Sequence, residues 1–246
     1  MPAALITIWW IWSVQAAALF YPPLPEVLRT FADTWFGTGF VHHVLPSMRN
    51  LAIGYLIGVA LGVTGGVILG LARWLHQVVN PLLEYARALP PPAVLPFAIL
   101  LLGVGPEMKV GVIVLGVVFP VLMNTVDGVR GVEPTMRDMA RVYRLPWHYQ
   151  LRYVLLPSAG PQIIVGARTS LSIGVLLMVV SEMVASTEGI GFFTLQAQRT
   201  FAFTQMWAGM LLLGLLGYLL NLAFGLVERR ILHWQIGAAC AAGSSA

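Results

Sequence analysis

Lysine is almost missing from this sequence: Lys109 is the only one in 246 residues. A nucleotide-binding P-loop needs a glycine-rich turn that ends in a lysine reaching the phosphates. Lys109 follows Gly105-Pro106-Glu107-Met108, which is no such turn, so the chain is not a P-loop ATPase by itself. Cysteine is equally scarce, and the single Cys240 excludes an intrachain disulfide. No HExxH, GxSxG or CxxC occurs, and of the histidines only His42 and His43 are neighbours. Side chains adjacent in sequence do not face one site, so neither a metal site nor a catalytic constellation is expected, and the chain reads as a non-enzyme. Charged residues make up 10% of the chain, where a soluble domain carries about 25%. No acidic residue falls at the middle of a predicted span, which counts against a proton-coupled carrier.

What is present is apolar: 58% hydrophobic residues and a mean hydropathy of +0.82. A bilayer-crossing helix takes roughly 20 residues, so the length accommodates about six spans, short loops and no large soluble domain. The expected fold is an all-α integral membrane protein of one transmembrane domain over residues 1–235. A low-complexity, disordered tail is expected over 236–246. The net charge of +4 is small and speaks to topology rather than to nucleic acid.

The predicted spans are 2–19, 45–72, 82–102, 108–126, 161–184 and 206–227, with a short amphipathic surface helix over 26–36. The first span has no basic segment before it and reads as a span rather than a cleaved signal. In the second, Gly54, Gly58 and Gly62 recur every four residues. Small residues on one face let helices approach closely, so a packing face is expected, with pore lining as the alternative. Pro90-Pro91-Pro92 and Pro96 break the third span. Irregular backbone survives in a bilayer only when buried in protein or lining a water-filled path. Pro91, Pro92 and Pro96 are therefore translocation-path candidates, with a packing kink as the alternative. Asn124, Ser170 and Glu182 join them as polar residues within spans. Asn124 is expected to bond a neighbouring helix, Ser170 to face one, and Arg168 and Glu182 to snorkel or pair near span ends.

The longest polar interruption is 133–161, EPTMRDMARVYRLPWHYQLRYVLLPSAGP. Pro134 suits a first helical turn, and Pro146 ends or kinks that helix and starts a second. Met136, Met139, Tyr143 and Trp147 share one predicted face; Arg137, Arg141, Arg144 and His148 form a basic stripe on another. The stretch is either a solvated loop with inward-biased arginines or an amphipathic element with something to dock against.

This loop resembles the EAA loop of ABC importer permeases, whose pattern is E-A-A, three residues, G, nine residues, I, one residue, L-P. Leu156-Pro157 anchors it; Val154 takes the I position, Asp138-Met139-Ala140 the E-A-A, and Arg144 the G. Glycine there would allow a positive-φ turn that arginine resists, which leaves the shape of the bend open. Leu82-Leu83-Glu84, Ala88 to Pro96, Gly103-Val104-Gly105, Pro120 to Gly128, Ser181-Glu182-Met183, Gly189-Ile190-Gly191 and Glu228-Arg229-Arg230 extend the likeness to the nitrate/sulfonate/taurine branch.

The resemblance implies a homodimeric permease in the bacterial inner membrane and two separate ATP-binding cassette subunits that hold ATP and Mg. It also implies an extracytoplasmic solute-binding protein. The substrate would be a small anion such as nitrate, taurine or an alkane sulfonate, or a pyrimidine-like precursor. Asp138, Met139, Ala140, Arg141, Tyr143, Arg144, Leu145, Pro146 and Trp147 would then form the ATPase-coupling element, with an Asp138–Arg141 pair stiffening it. The alternative function is a channel or structural membrane subunit without an ATPase. With both termini cytoplasmic, Arg73, Arg87, Arg130, Arg137, Arg141, Arg144, Arg152, Arg168, Arg229 and Arg230 lie inside, against Arg29, Arg49, Lys109 and Arg199 outside.

Overall fold

Prolines and glycines punctuate the chain into helices, and every regular element among the described residues is helical. The computed structural model describes residues 20–233; the expected first span and the C-terminal tail lie outside them. Helix α1 (Leu24–Trp35) starts behind Pro22-Pro23 and buries Leu24, Val27 and Trp35. A π-helical turn (Phe40–Val44) leads into α2 (Leu45–Leu71). Then come α3 (Arg73–Ala88), a 3-10 turn (Pro91–Val94), α4 (Leu95–Leu102) and α5 (Pro106–Arg130). The polar loop holds α6 (Pro134–Val142) and the single turn α7 (Trp147–Tyr149). A second π-helical turn (Gln150–Leu155) passes into α8 (Leu156–Val184), followed by α9 (Ile190–Arg199) and α10 (Phe203–Ile231).

Four of these runs are long and apolar enough to cross a bilayer: Phe40–Leu71, Pro106–Arg130, Trp147–Val184 and Phe203–Ile231. The expected 82–102 span is not one straight helix. Its first arm begins at Arg73 and meets the Pro91–Leu102 arm at 89°. Leu89 is extended because a residue before proline is pushed out of the helical region. The eight residues of α4 rise only about 12 Å, so this pair crosses only if both arms contribute.

The fifth expected span also starts earlier than 161: the helix is continuous from Trp147 to Val184. Pro157 is tolerated because the π turn widens the helix where its ring would meet the Tyr153 carbonyl. The same device precedes Pro46, after the Phe40–Val44 turn.

The core is the packing of α2, α5 and α8. The glycines of α2 are a contact surface, as their spacing predicts. A Cβ on Gly54, Gly58, Gly62, Gly66 or Gly70 would come within 2.8 Å of Ile113, Val117, Val121, Thr125 or Val129 respectively. Both partners advance by four residues over five successive contacts, so two parallel helices mesh in one register along their full length. On the other side of α5, Gly116 receives Leu177, Gly166 of α8 receives Asn124, and Gly128 receives Ala159 and Gln162. Met108, Ile113, Val117, Val121, Leu177 and Met178 are buried in the resulting core. α1 docks on the start of α10 through Trp35, whose Nε1 donates to the Ala208 carbonyl at 3.3 Å.

Candidate functional site

The loop between α5 and α8 is tied to the helix ends beneath it. Arg130 Nη2 donates to the Leu69 carbonyl at 3.2 Å, and Arg137 Nη2 donates to the Val129 carbonyl. Both target last-turn carbonyls that have no helical donor, the end of a helix that favours cations. α6 is thereby fastened to α5, and α5 to α2. Val132 and Ala140 are buried under the loop.

α6 begins at Glu133, which is extended before Pro134, and ends in a Schellman turn. The Arg144 N–H donates to the Arg141 carbonyl at 2.9 Å and the Leu145 N–H to the Ala140 carbonyl at 3.0 Å. That closure requires a left-handed residue, and Arg144 supplies it at φ 49°. The bend thus has the shape a glycine would have allowed, with arginine in its place. Pro146 then opens α7, and the Gln150 side chain closes the corner by donating to the Leu145 carbonyl at 2.8 Å.

Met136, Met139, Ala140, Tyr143 and Leu145 face Tyr153, Val154, Pro157 and Ser158 across an apolar groove of about 540 Å³. Met139 and Tyr143 are 59% and 76% exposed. Trp147 does not continue this face as its spacing suggested. The helix stops at Val142, so Trp147 belongs to the next turn, and Tyr153 lines the groove instead. Asp138 and Arg141 do pair, at 3.2 Å. Both are well exposed, so the pair is worth only a few tenths of a kcal/mol. Asp138→Asn should accordingly leave the thermal midpoint unchanged in a detergent melt.

The six path candidates are not brought together. Pro92 and Pro96 are exposed at the bend and Pro91 is half-buried. Asn124 bonds its own helix rather than a neighbour, donating to the Pro120 carbonyl at 2.8 Å. Ser170 is buried and donates to the Ala167 carbonyl, which also accepts the Tyr55 hydroxyl at 2.8 Å. Arg168 pairs with Glu228 at 2.9 Å.

Glu182 does not snorkel; it is fully buried and accepts the Gly191 N–H at 2.9 Å. It is one of three side chains that cap the first turn of α9. The Gly189 N–H donates to His43 Nδ1 at 3.3 Å and the Ile190 N–H to Ser47 Oγ at 3.0 Å. Lys109, expected on the outer side of the membrane, is 3% exposed and donates to Ser186 Oγ at 2.7 Å. Sequence reasoning missed Lys109, His43 and Ser47 here. The one available signal was the ordered pair of short motifs, Ser181-Glu182-Met183 and Gly189-Ile190-Gly191.

Comparison with known proteins places the chain in a family. A family model described as binding-protein-dependent transport system inner membrane component matches residues 54–233. A Bacillus subtilis protein named as aliphatic sulfonates transport permease SsuC is 33% identical over 96% of this chain and 86% of its own. The taurine transport system permease protein TauC of Escherichia coli is 29% identical over 95% and 87%. The nitrate import permease protein NrtB of Leptolyngbya laminosa is 28% identical over 78% and 69%. In fold, the chain is similar to an inward-facing MetNI methionine ABC transporter, with TM-score 0.69 over 79% of this chain and 98% of that one. With an apolar helical bundle and a family match over most of its length, this chain belongs to the inner membrane components of binding-protein-dependent transport systems.

Proposed function

We propose that this chain is the permease subunit of an ATP-driven importer for a small anion of the sulfonate, taurine or nitrate kind. The relatives that support this are named for those substrates. Two copies form the pathway, two ATP-binding cassette subunits hold ATP and Mg, and a solute-binding protein delivers the substrate from outside. Both termini and the loop between α5 and α8 lie in the cytoplasm, the side that carries most arginines.

The observation that carries the coupling role is the fastening of α6. An exposed apolar groove faces outward, while Arg137 and Arg130 link its helix to the ends of α5 and α2. A force applied at the groove therefore reaches two packed spans as a rigid-body displacement. Asp138 to Trp147 form the coupling element, with Met139 and Tyr143 as its apolar contacts. Pro91, Pro92, Pro96, Asn124, Ser170 and Glu182 remain the candidate path residues. Ser170 and Glu182 are buried within one subunit and bear on the path through helix positioning.

The double replacement Met139→Glu with Tyr143→Glu removes the apolar contacts at two well-exposed positions. In proteoliposomes with the partner subunits, ATP-dependent uptake should fall at least about tenfold, the effect of losing a central apolar anchor, with the thermal midpoint of the permease retained. Uptake at the wild-type rate would remove the coupling assignment.

A further inference from the structure

Among the described residues only two non-glycines have positive φ, and Arg144 is one of them. The left-handed region is unfavourable for any residue with a Cβ, and a long side chain gains nothing from it locally. Glycine or asparagine would close the same Schellman turn with less strain. An unfavourable residue held in a strained backbone points to use by something outside the turn.

The basic stripe supports this. Arg137 is turned inward onto the Val129 carbonyl. Arg141 is paired with Asp138 on its own helix. His148 meets Trp147 edge-on and Tyr149 at a tilt, at 6.1 and 4.7 Å between ring centroids. Beyond the stripe, Arg152 lies over the Tyr153 ring. The Arg144 side chain is exposed and, among the described residues, makes no hydrogen bond, ion pair or ring contact. It sits between Tyr143 and Leu145, both of which line the apolar groove. Among the described residues the loop therefore offers one free guanidinium beside the apolar groove.

We propose that Arg144 is a docking residue that takes a carboxylate of the ATPase subunit, while an apolar side chain of the same subunit enters the groove. This rests on the coupling role given above. A guanidinium binds a carboxylate bidentately, which fixes orientation as well as charge. The turn holds the arginine at the groove rim, and its backbone strain is offset only in the complex. The free permease should therefore be more stable without it, and the assembled transporter weaker.

The test is purification of the full-length permease in mild detergent from its own cells. The readouts are ATP hydrolysis recovered per permease at low and high salt, and the thermal midpoint of the permease alone. Arg144→Gln keeps the strain and removes the charge; Arg144→Lys keeps both strain and charge; Arg144→Gly removes both. Gln and Gly should each lose about fivefold or more of the recovered ATPase and most of its salt sensitivity. Lys should recover part of it, and Gly alone should raise the midpoint. Undiminished ATPase recovery with both Gln and Gly overturns the docking role while leaving the coupling reading intact. So does a Gln variant whose loss tracks a lowered midpoint and is not relieved by Lys. If the wild-type chain itself recovers no ATPase, the coupling reading fails and the docking role falls with it.

Discussion

Gly66→Ala should destabilise the bundle by about 1–3 kcal/mol, the cost of overpacking a close helix contact, while Gly217→Ala should not destabilise it at all. A Cβ at Gly66 would stand 2.5 Å from Thr125 Cβ and 2.7 Å from the Leu122 carbonyl oxygen. A carbonyl in mid-helix cannot rotate away as a side chain can, so α2 and α5 must separate there. Separation at one contact loosens those above and below it, because all five share one register. At Gly217 on α10 nothing lies within 4 Å, and the exchange gains the helix propensity of alanine over glycine, close to 1 kcal/mol at most. Thermal melts of the two variants in one detergent compare them directly. Equal midpoints would show that the α2–α5 contact is not as close as described.

Glu182→Ala should cost on the order of 3 kcal/mol, combining a lost hydrogen bond with a buried donor left unmatched. The Gly191 N–H loses its acceptor, and a void opens where the carboxylate now fills the space in front of Gly189. That space is tight: Gly189 has φ 112°, and a Cβ there would stand 2.4 Å from Glu182 Cδ. Glu182→Gln keeps an oxygen at the same position and should recover most of the loss. Hydrogen exchange adds a local readout. The amides of Gly189, Ile190 and Gly191 should lose protection in the alanine variant and keep it in the glutamine one. Equal protection in both would show that the side-chain cap does not hold the first turn of α9.

The helices were legible wherever one local signal acted alone. Apolar length marked the spans, and Gly54, Gly58 and Gly62 marked a packing face because a four-residue repeat stays on one side of a helix. Their partner was not legible: Ile113, Val117 and Val121 are ordinary apolar residues in a uniformly apolar span. Around the candidate site, Pro146 correctly ended one helix. The same break meant that Trp147 could not lie on the face its spacing suggested, and a period applied across a proline misplaced it. The early start of α8 was hidden because a π turn absorbs Pro157, and no composition signal marks such a turn. Glu182 is placed by its distance from a span end and Lys109 by the side of the membrane, and both readings see depth but not neighbours. Only the folded chain brings Ser186 to one and the start of α9 to the other.

The single register between α2 and α5 also limits how a transport cycle can deform this subunit. The β-branched side chains seated opposite glycines act like teeth in a rack. A slide smaller than one step would drive each tooth against a flank, and the next seat lies four residues, or about 6 Å, away. Small continuous shear along this contact is therefore closed to the molecule. α2 and α5 travel together as one lever, and the flexing must fall on joints that carry no teeth. The right-angle corner between α3 and α4 and the π turns ahead of Pro46 and Pro157 are the joints the chain provides.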